Sequence, residues 1–181
     1  AVKNRYGATH ELGVFEMQGN GLKEVSNPSE LFLSDESATG VSTIVAYEGT
    51  RSLLVDLQAL VNASSYASPR RTATGLETNR LHQILAVLEK HVSIPLSRYD
   101  CYLAVAGGLE VEEPAADLGV ALAIISSFRN IQLAKGTVLI GELGLGGQLR
   151  PVSKINQRLE EAIRLGFKYA IIPKGNGKIS L

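Results

Sequence analysis

The sequence predicts a mixed α/β fold, and three features carry that expectation. Residues 42–64, "STIVAYEGTRSLLVDLQALVNAS", hold two β-rich runs that meet at a Glu-Gly-Thr-Arg turn, the pattern of a hairpin. Leu81, Ile84, Leu85, Leu88 and Val92 recur at helical spacing, and so do Leu118, Ala121, Leu122 and Ile125. Strand-like and helix-like segments do not alternate strictly, which separates the chain from a simple run of βαβ units.

The elements follow in order. Residues 1–35 form a short β-rich piece: the stretch from Glu11 to Met17 alternates, and a Gly-Asn-Gly turn and an Asn-Pro-Ser turn suit one or two hairpin-like strands. Small polar residues in "SDESATGVS" mark a linker, placed at 36–41, and a second unit runs from 42 to 181. After the hairpin, "SPRRTATGLETNR" reads as loop, with Thr78 placed to cap the helix that follows and Arg80, Gln83, Glu89 and Lys90 on its solvent side. "YDCYLAVAGGLEV" gives a strand and a Gly-Gly turn. A second helix spans about Pro114 to Phe128, with proline suited to its first turn. "GTVLIGELGLGGQLRPV" reads as two short strands around a glycine-rich hairpin. Ser153 then opens a helix through Leu165 that Gly166 ends, and "KYAIIP" supplies a buried strand.

Composition sets limits on function. Lysine plus arginine and aspartate plus glutamate both total 18, so no global field draws the chain to nucleic acid or an acidic membrane, and any such contact must be local. The lone Cys101 excludes an intrachain disulfide framework and a cysteine-clustered zinc site, and it suits a reducing compartment. No leader and no run of about 18 apolar residues is visible, so the chain reads as cytoplasmic, with no membrane partner. Its start at "AVKNRYG" and its stop at "GKISL" read as cuts from a longer chain.

The stretch "GELGLGGQ" looks like a phosphate loop but precedes a strand-like run and lacks the following Gly-Lys-Ser/Thr, so a glycine-built hairpin is the reading. His10, His82 and His91 lack metal-ligand spacing. Glu110, Glu112, Glu113 and Asp117 gather at the second helix start, where a cation or acid–base site competes with simple charge at a helix N-terminus, itself favoured by about 0.3–1 kcal/mol per carboxylate. Arg70 and Arg71 are adjacent in a loop and Arg80 starts the next helix; all three suit backbone phosphates or plain solvation. Lys3 and Arg5 flank Asn4, so on a strand both cations point the same way.

These blocks resemble one family along nearly the whole chain, the RadA (Sms) family of bacterial DNA-repair proteins, in its C-terminal part. "KNRYG" is similar to that family's KNRFG signature, with Tyr6 replacing phenylalanine, and "ATHELGVFEM", "NPSELFL", "PRR.ATGLE.NRL..ILAVLEK" and "GGLEVEEPAADL" follow in order. The resemblance implies a Lon protease-like domain over 42–181, preceded over 1–35 by the end of a RecA-like ATPase domain. It also implies a homohexameric ring acting on single-stranded DNA and branched recombination intermediates beside the recombinase RecA, in a bacterium or a bacterial-derived organelle. ATP, magnesium and zinc belong to the part upstream of residue 1. Lys3, Asn4, Arg5, Tyr6 and Gly7 are expected to couple ATP hydrolysis to a neighbouring subunit, and Arg70, Arg71 and Arg80 to contact DNA.

The similarity to Lon proteases also implies what is lost. "AADLGVA" aligns with the turn that carries the Lon serine, putting Asp117 in the nucleophile slot. "GELGLGGQLRPVSKINQRLEEAIRLG" aligns with the segment of the partner lysine, putting Asn156 there. Asparagine cannot take a proton from a nucleophile at neutral pH, and a carboxylate attacks peptide bonds poorly, so the resemblance implies a fragment without proteolysis.

Overall fold

The structure, a computed structural model, describes residues 12–18, 21–24, 32–33, 39–177 and 179. In chain order these form β1 (Leu12–Gln18), β2 (Gly21–Glu24), β3 (Phe32–Leu33), β4 (Val41–Glu48), β5 (Arg51–Ala63), β6 (Arg71–Thr74), α1 (Thr78–His91), β7 (Tyr99–Val105), α2 (Asp117–Arg129), β8 (Gln132–Leu133), β9 (Thr137–Leu139), β10 (Glu142–Leu143), β11 (Leu149–Arg150), α3 (Ile155–Arg164) and β12 (Tyr169–Pro173). One mixed sheet of eight strands runs β2-β1-β12-β9-β4-β5-β7-β6, beside the ribbons β10-β11 and β3-β8.

The expected hairpin is the centre of that sheet: β4 and β5 pair from Val41↔Gln58 to Glu48↔Arg51 around a Gly49-Thr50 turn. The hairpin β1-β2 also forms, and β1 pairs with β12 from Leu12↔Pro173 to Glu16↔Tyr169, so the first described strands and the last share one sheet. Three strand pairs are parallel and need crossovers: α1 links β6 to β7, α3 lies between β9 and β12, and the long connection from β4 to β9 includes α1 and α2.

Side chains alternate across a strand, so Ile44 and Val45 enter different cores. Ile44, Leu57, Cys101 and Leu103 pack with Leu81, Leu85, Val120 and Ile124 of α1 and α2. Val45, Val138, Ile140 and Ile172 pack with Ile155, Leu159 and Ala162 of α3 on the opposite face. Among the described residues that second face is only half covered. Beyond α3, Gln58, Leu60, Thr72, Thr74 and Ala104 of β5, β6 and β7 are exposed.

Helix α2 is more enclosed than its one apolar stripe predicts, with Asp117 to Ala121, Ala123, Ile124, Ser126 and Ser127 all buried. Gly119 allows this, because a Cβ there meets Ile44 Cγ2 at 2.1 Å. The polar groups of this buried helix are matched: the Ser42 hydroxyl donates to the Gly119 carbonyl at 2.8 Å, while the Ser126 and Ser127 hydroxyls accept from the Gly40 and Val61 amides at 2.9 Å each.

Four expectations are corrected. "RTAT" is not loop but strand β6, its residues alternating between half-buried and exposed beside β7. Thr78 is the first helical residue and Glu77 occupies the cap position without a side-chain bond, so no threonine cap forms. Arg80 does not face solvent but turns under the helix onto Asp117. The third helix starts at Ile155, two residues later than Ser153, after Lys154 adopts a left-handed φ of 60°.

Candidate functional site

Asp117 is the first residue of α2 and is 1% exposed. A proline-led 3-10 turn, Pro114–Ala116, delivers it there. That partner is Arg80 of α1, whose Nε donates to Asp117 Oδ1 at 2.7 Å and whose Nη2 donates to Oδ2. The Leu143 amide of β10 donates to Oδ2 at 2.9 Å. Burial pushes the Asp117 carboxyl above the usual carboxylate range, with Arg80 and the Leu143 amide opposing it, and the bond to Asp117 holds Arg80 charged. Both oxygens accept hydrogen bonds from within the fold, and the group is shielded from solvent. The carboxylate joins α1, α2 and the β10-β11 hairpin.

A second ion pair stands one turn earlier. Arg158 of α3 is 2% exposed and donates through Nη1 and Nη2 to Glu113, through Nη1 to the Val45 carbonyl at 2.7 Å and through Nε to the Ser153 carbonyl at 2.9 Å. Glu113 also accepts from the Tyr47 amide at 2.9 Å. The start of α3 is therefore tied to the start of α2. Asn156, the second residue of α3, keeps a shielded Oδ1 with no hydrogen-bond partner among the described residues. Arg158 was missed at the level of sequence although the signal was there: it sits on the Ile155, Leu159, Ala162 stripe, where a cation needs a buried partner.

The expected acid cluster is thus divided. Glu113 and Asp117 each serve an arginine, while Glu110 and Glu112 stay exposed. Together with Glu77 and Arg80 they line a cleft of about 570 Å³. Among the described residues, no group of three or more His, Cys, Asp or Glu side chains is arranged to hold a metal ion.

The remaining candidates lie apart. Lys3, Asn4, Arg5, Tyr6, Gly7 and His10 fall outside the described residues. Arg70 is exposed, its guanidinium 4.0 Å from the centre of the Tyr66 ring and its amide bonded to Asp100 Oδ1 at 2.7 Å. Arg71 points to the other face, where its Nη2 donates to the Leu96 carbonyl and lies 4.0 Å from Glu89. The structure therefore does not bring Arg70, Arg71 and Arg80 onto one surface. The glycine-rich stretch is the expected hairpin, closed by Gly144 and Gly147 amide bonds, with the His91 ring against the Leu145 carbonyl at 3.0 Å. His82 is exposed. Among the described residues, no helix is long and apolar enough to cross a membrane.

A mixed α/β chain with helices on both faces of its sheet and two arginine–carboxylate pairs at its helix starts defines a class of architecture, and comparison gives the family. The family model described as "Subunit ChlI of Mg-chelatase" matches residues 64–176, well over half of the chain, and the chain belongs to that family. Among individual proteins it is similar to the DNA repair protein RadA of Synechocystis sp., with 59% identity over 97% of this chain and 35% of that protein. The proteins of the same name from Halalkalibacterium halodurans and Bacillus subtilis are 52% and 51% identical, each over 97% of this chain and 39% of their own length. The chain thus spans well under half the length of these curated relatives.

Proposed function

We propose that the chain is the assembly and DNA-contacting part of a RadA-type, ATP-driven motor for DNA repair and homologous recombination. The observation that carries this reading is identity above half to several proteins named for DNA repair across almost the entire chain. In this reading residues 42–181 are a Lon protease-like domain that has lost its reaction, and residues 1–35 end a RecA-like ATPase domain. A cytoplasmic homohexameric ring promotes branch migration of recombination intermediates alongside RecA. ATP, magnesium and zinc are held elsewhere in the protein, and Lys3, Asn4, Arg5, Tyr6 and Gly7 couple the nucleotide to a neighbouring subunit. A cation reaching across a subunit boundary stabilises charge developing on the transferred phosphoryl group.

The geometry supports the loss of proteolysis in particular. Asp117 in the nucleophile slot is buried and bonded on both oxygens by Arg80 and the Leu143 amide, and Asn156 in the base slot carries no proton-accepting amine. Of the three arginines this reading first assigns to phosphate, Arg70 is the exposed one and keeps that role, whereas Arg71 is held by the Leu96 carbonyl and Arg80 by Asp117. A ring multiplies weak contacts, so a chain of zero formal net charge can still hold a polyanion.

A second reading, an oligomerisation scaffold without DNA contact, draws on the half-covered sheet face, where Leu60 is 58% exposed. Sedimentation of the 181-residue chain with and without single-stranded DNA separates the two readings. Co-migration that weakens with salt supports DNA contact, whereas a ring that leaves DNA free supports the scaffold.

A further inference from the structure

We propose that single-stranded nucleic acid lies across one end of the sheet, on a surface built by Arg70, Arg98 and Arg129 with Tyr66 as a stacking platform. This rests on the DNA-contact reading above and names the surface that makes the contact.

The fold gathers these groups from segments far apart in sequence. The end of β5 meets the start of β7 at Ala63↔Tyr99, and the Ser64 amide donates to the Arg98 carbonyl at 2.9 Å. The start of β6 joins the same rim, because the Cys101 amide donates to the Arg70 carbonyl at 2.8 Å. The end of α2 closes it: Ser127 Oγ accepts from the Val61 amide, and the Phe128 ring meets Tyr99 edge-on with centroids 5.1 Å apart. Arg70, Arg98 and Arg129 are exposed, and none has an ion-pair partner among the described residues.

Charge and aromaticity coincide here. Within residues 62–71, 96–101 and 126–131 the single acid is Asp100, which is 5% exposed and spends Oδ1 on the Arg70 amide. The Arg70 guanidinium already lies over the Tyr66 ring at 4.0 Å, and that of Arg129 lies 5.6 Å from the centre of Phe128. Tyr66 is 49% exposed. Guanidinium groups that pair with phosphate beside a ring on which a base can stack are what a flexible strand needs, and every base offers a face for stacking. Stacked duplex bases cannot use Tyr66, which selects the single strand. The alternative location is unfavourable: Arg80 lies in a cleft lined by Glu77, Glu110, Glu112 and Glu113, whose charge repels a polyanion.

The test is fluorescence anisotropy of labelled oligothymidylate with the 181-residue chain across a salt series. Arg98→Gln/Arg129→Gln is expected to weaken binding at least 10-fold and to reduce the magnitude of the salt slope by about 1.4, two single-strand contacts at about 0.7 each. Tyr66→Leu is expected to lose about 5-fold or more with the slope unchanged, as lost stacking requires. Arg164→Ala, on α3 and paired with Glu161, is the control and binds as the parent does. Circular dichroism melts confirm folding, and these exposed positions leave the core intact. Binding by the parent with no loss in either end-surface variant overturns this location alone. Absence of binding by the parent at low salt overturns the DNA-contact reading together with it.

Discussion

Asp117 and Arg80 decide how the candidate site is read. A buried carboxylate whose two oxygens accept from one guanidinium and one backbone amide has a structural use, and removing a single partner exposes what it costs to bury. Arg80→Ala is expected to destabilise the fold by about 3 kcal/mol or more, because the Asp117 charge is left uncompensated. Asp117→Leu/Arg80→Met restores most of that loss; chemical denaturation of both variants measures it, and equal destabilisation in the two contradicts the pairing argument. Cys101 gives a pH-dependent test. It is 1% exposed, and burial pushes its thiol up to about 11. An unfolded thiol titrates near about 8.5. Between those values the folded state keeps a proton that the unfolded state releases, so stability falls as pH rises, by up to about 1.4 kcal/mol per pH unit. Cys101→Ala removes this component, so the stability difference between parent and variant shifts in the variant's favour from about pH 8 to about pH 10. A difference independent of pH contradicts it.

At the scale of elements, close approach of helix to sheet is the controlling feature. A Cβ at Gly119 meets Ile44 Cγ2 at 2.1 Å, so α2 lies on β4 only because that side chain is absent. Gly119→Ala is expected to destabilise by about 1–3 kcal/mol through overpacking even though alanine favours helix, and to cost less in an Ile44→Ala background, which lacks the clashing Cγ2. A thermal melt in which the single variant is as stable as the parent sinks this explanation. The elements also show what a sequence makes legible. The β4-β5 hairpin, the stripe of α1, the glycine-rich β10-β11 turn and strand β12 were readable because each is specified by local periodicity or turn chemistry. β6 was not, because "RTAT" is short and flanked by loop-like residues, and it becomes a strand by pairing with β7 across an intervening helix. Thr78 was misplaced by one residue for a related reason: the helix begins where packing allows, without a side-chain cap. At the site Asp117 was legible and Arg80 was not, since its partner is 37 residues away in sequence.

For the whole molecule, equal numbers of acids and bases conceal an uneven arrangement. Acids line the cleft beside Asp117, while arginines without an ion-pair partner among the described residues, and aromatic rings, collect at one end of the sheet. A zero formal net charge accordingly argues against a general polyanion field and permits a local one. The membership of the family described as "Subunit ChlI of Mg-chelatase" and the similarity to proteins named for DNA repair frame the molecule, and the charge arrangement is the ground for the proposed DNA surface. The most direct test of that claim is the affinity of the 181-residue chain for single-stranded DNA measured against salt concentration. The account predicts binding whose logarithm falls linearly with the logarithm of salt, with a slope of about −2 for the three arginines of the end surface. Absence of binding at low salt, or binding insensitive to salt, contradicts it.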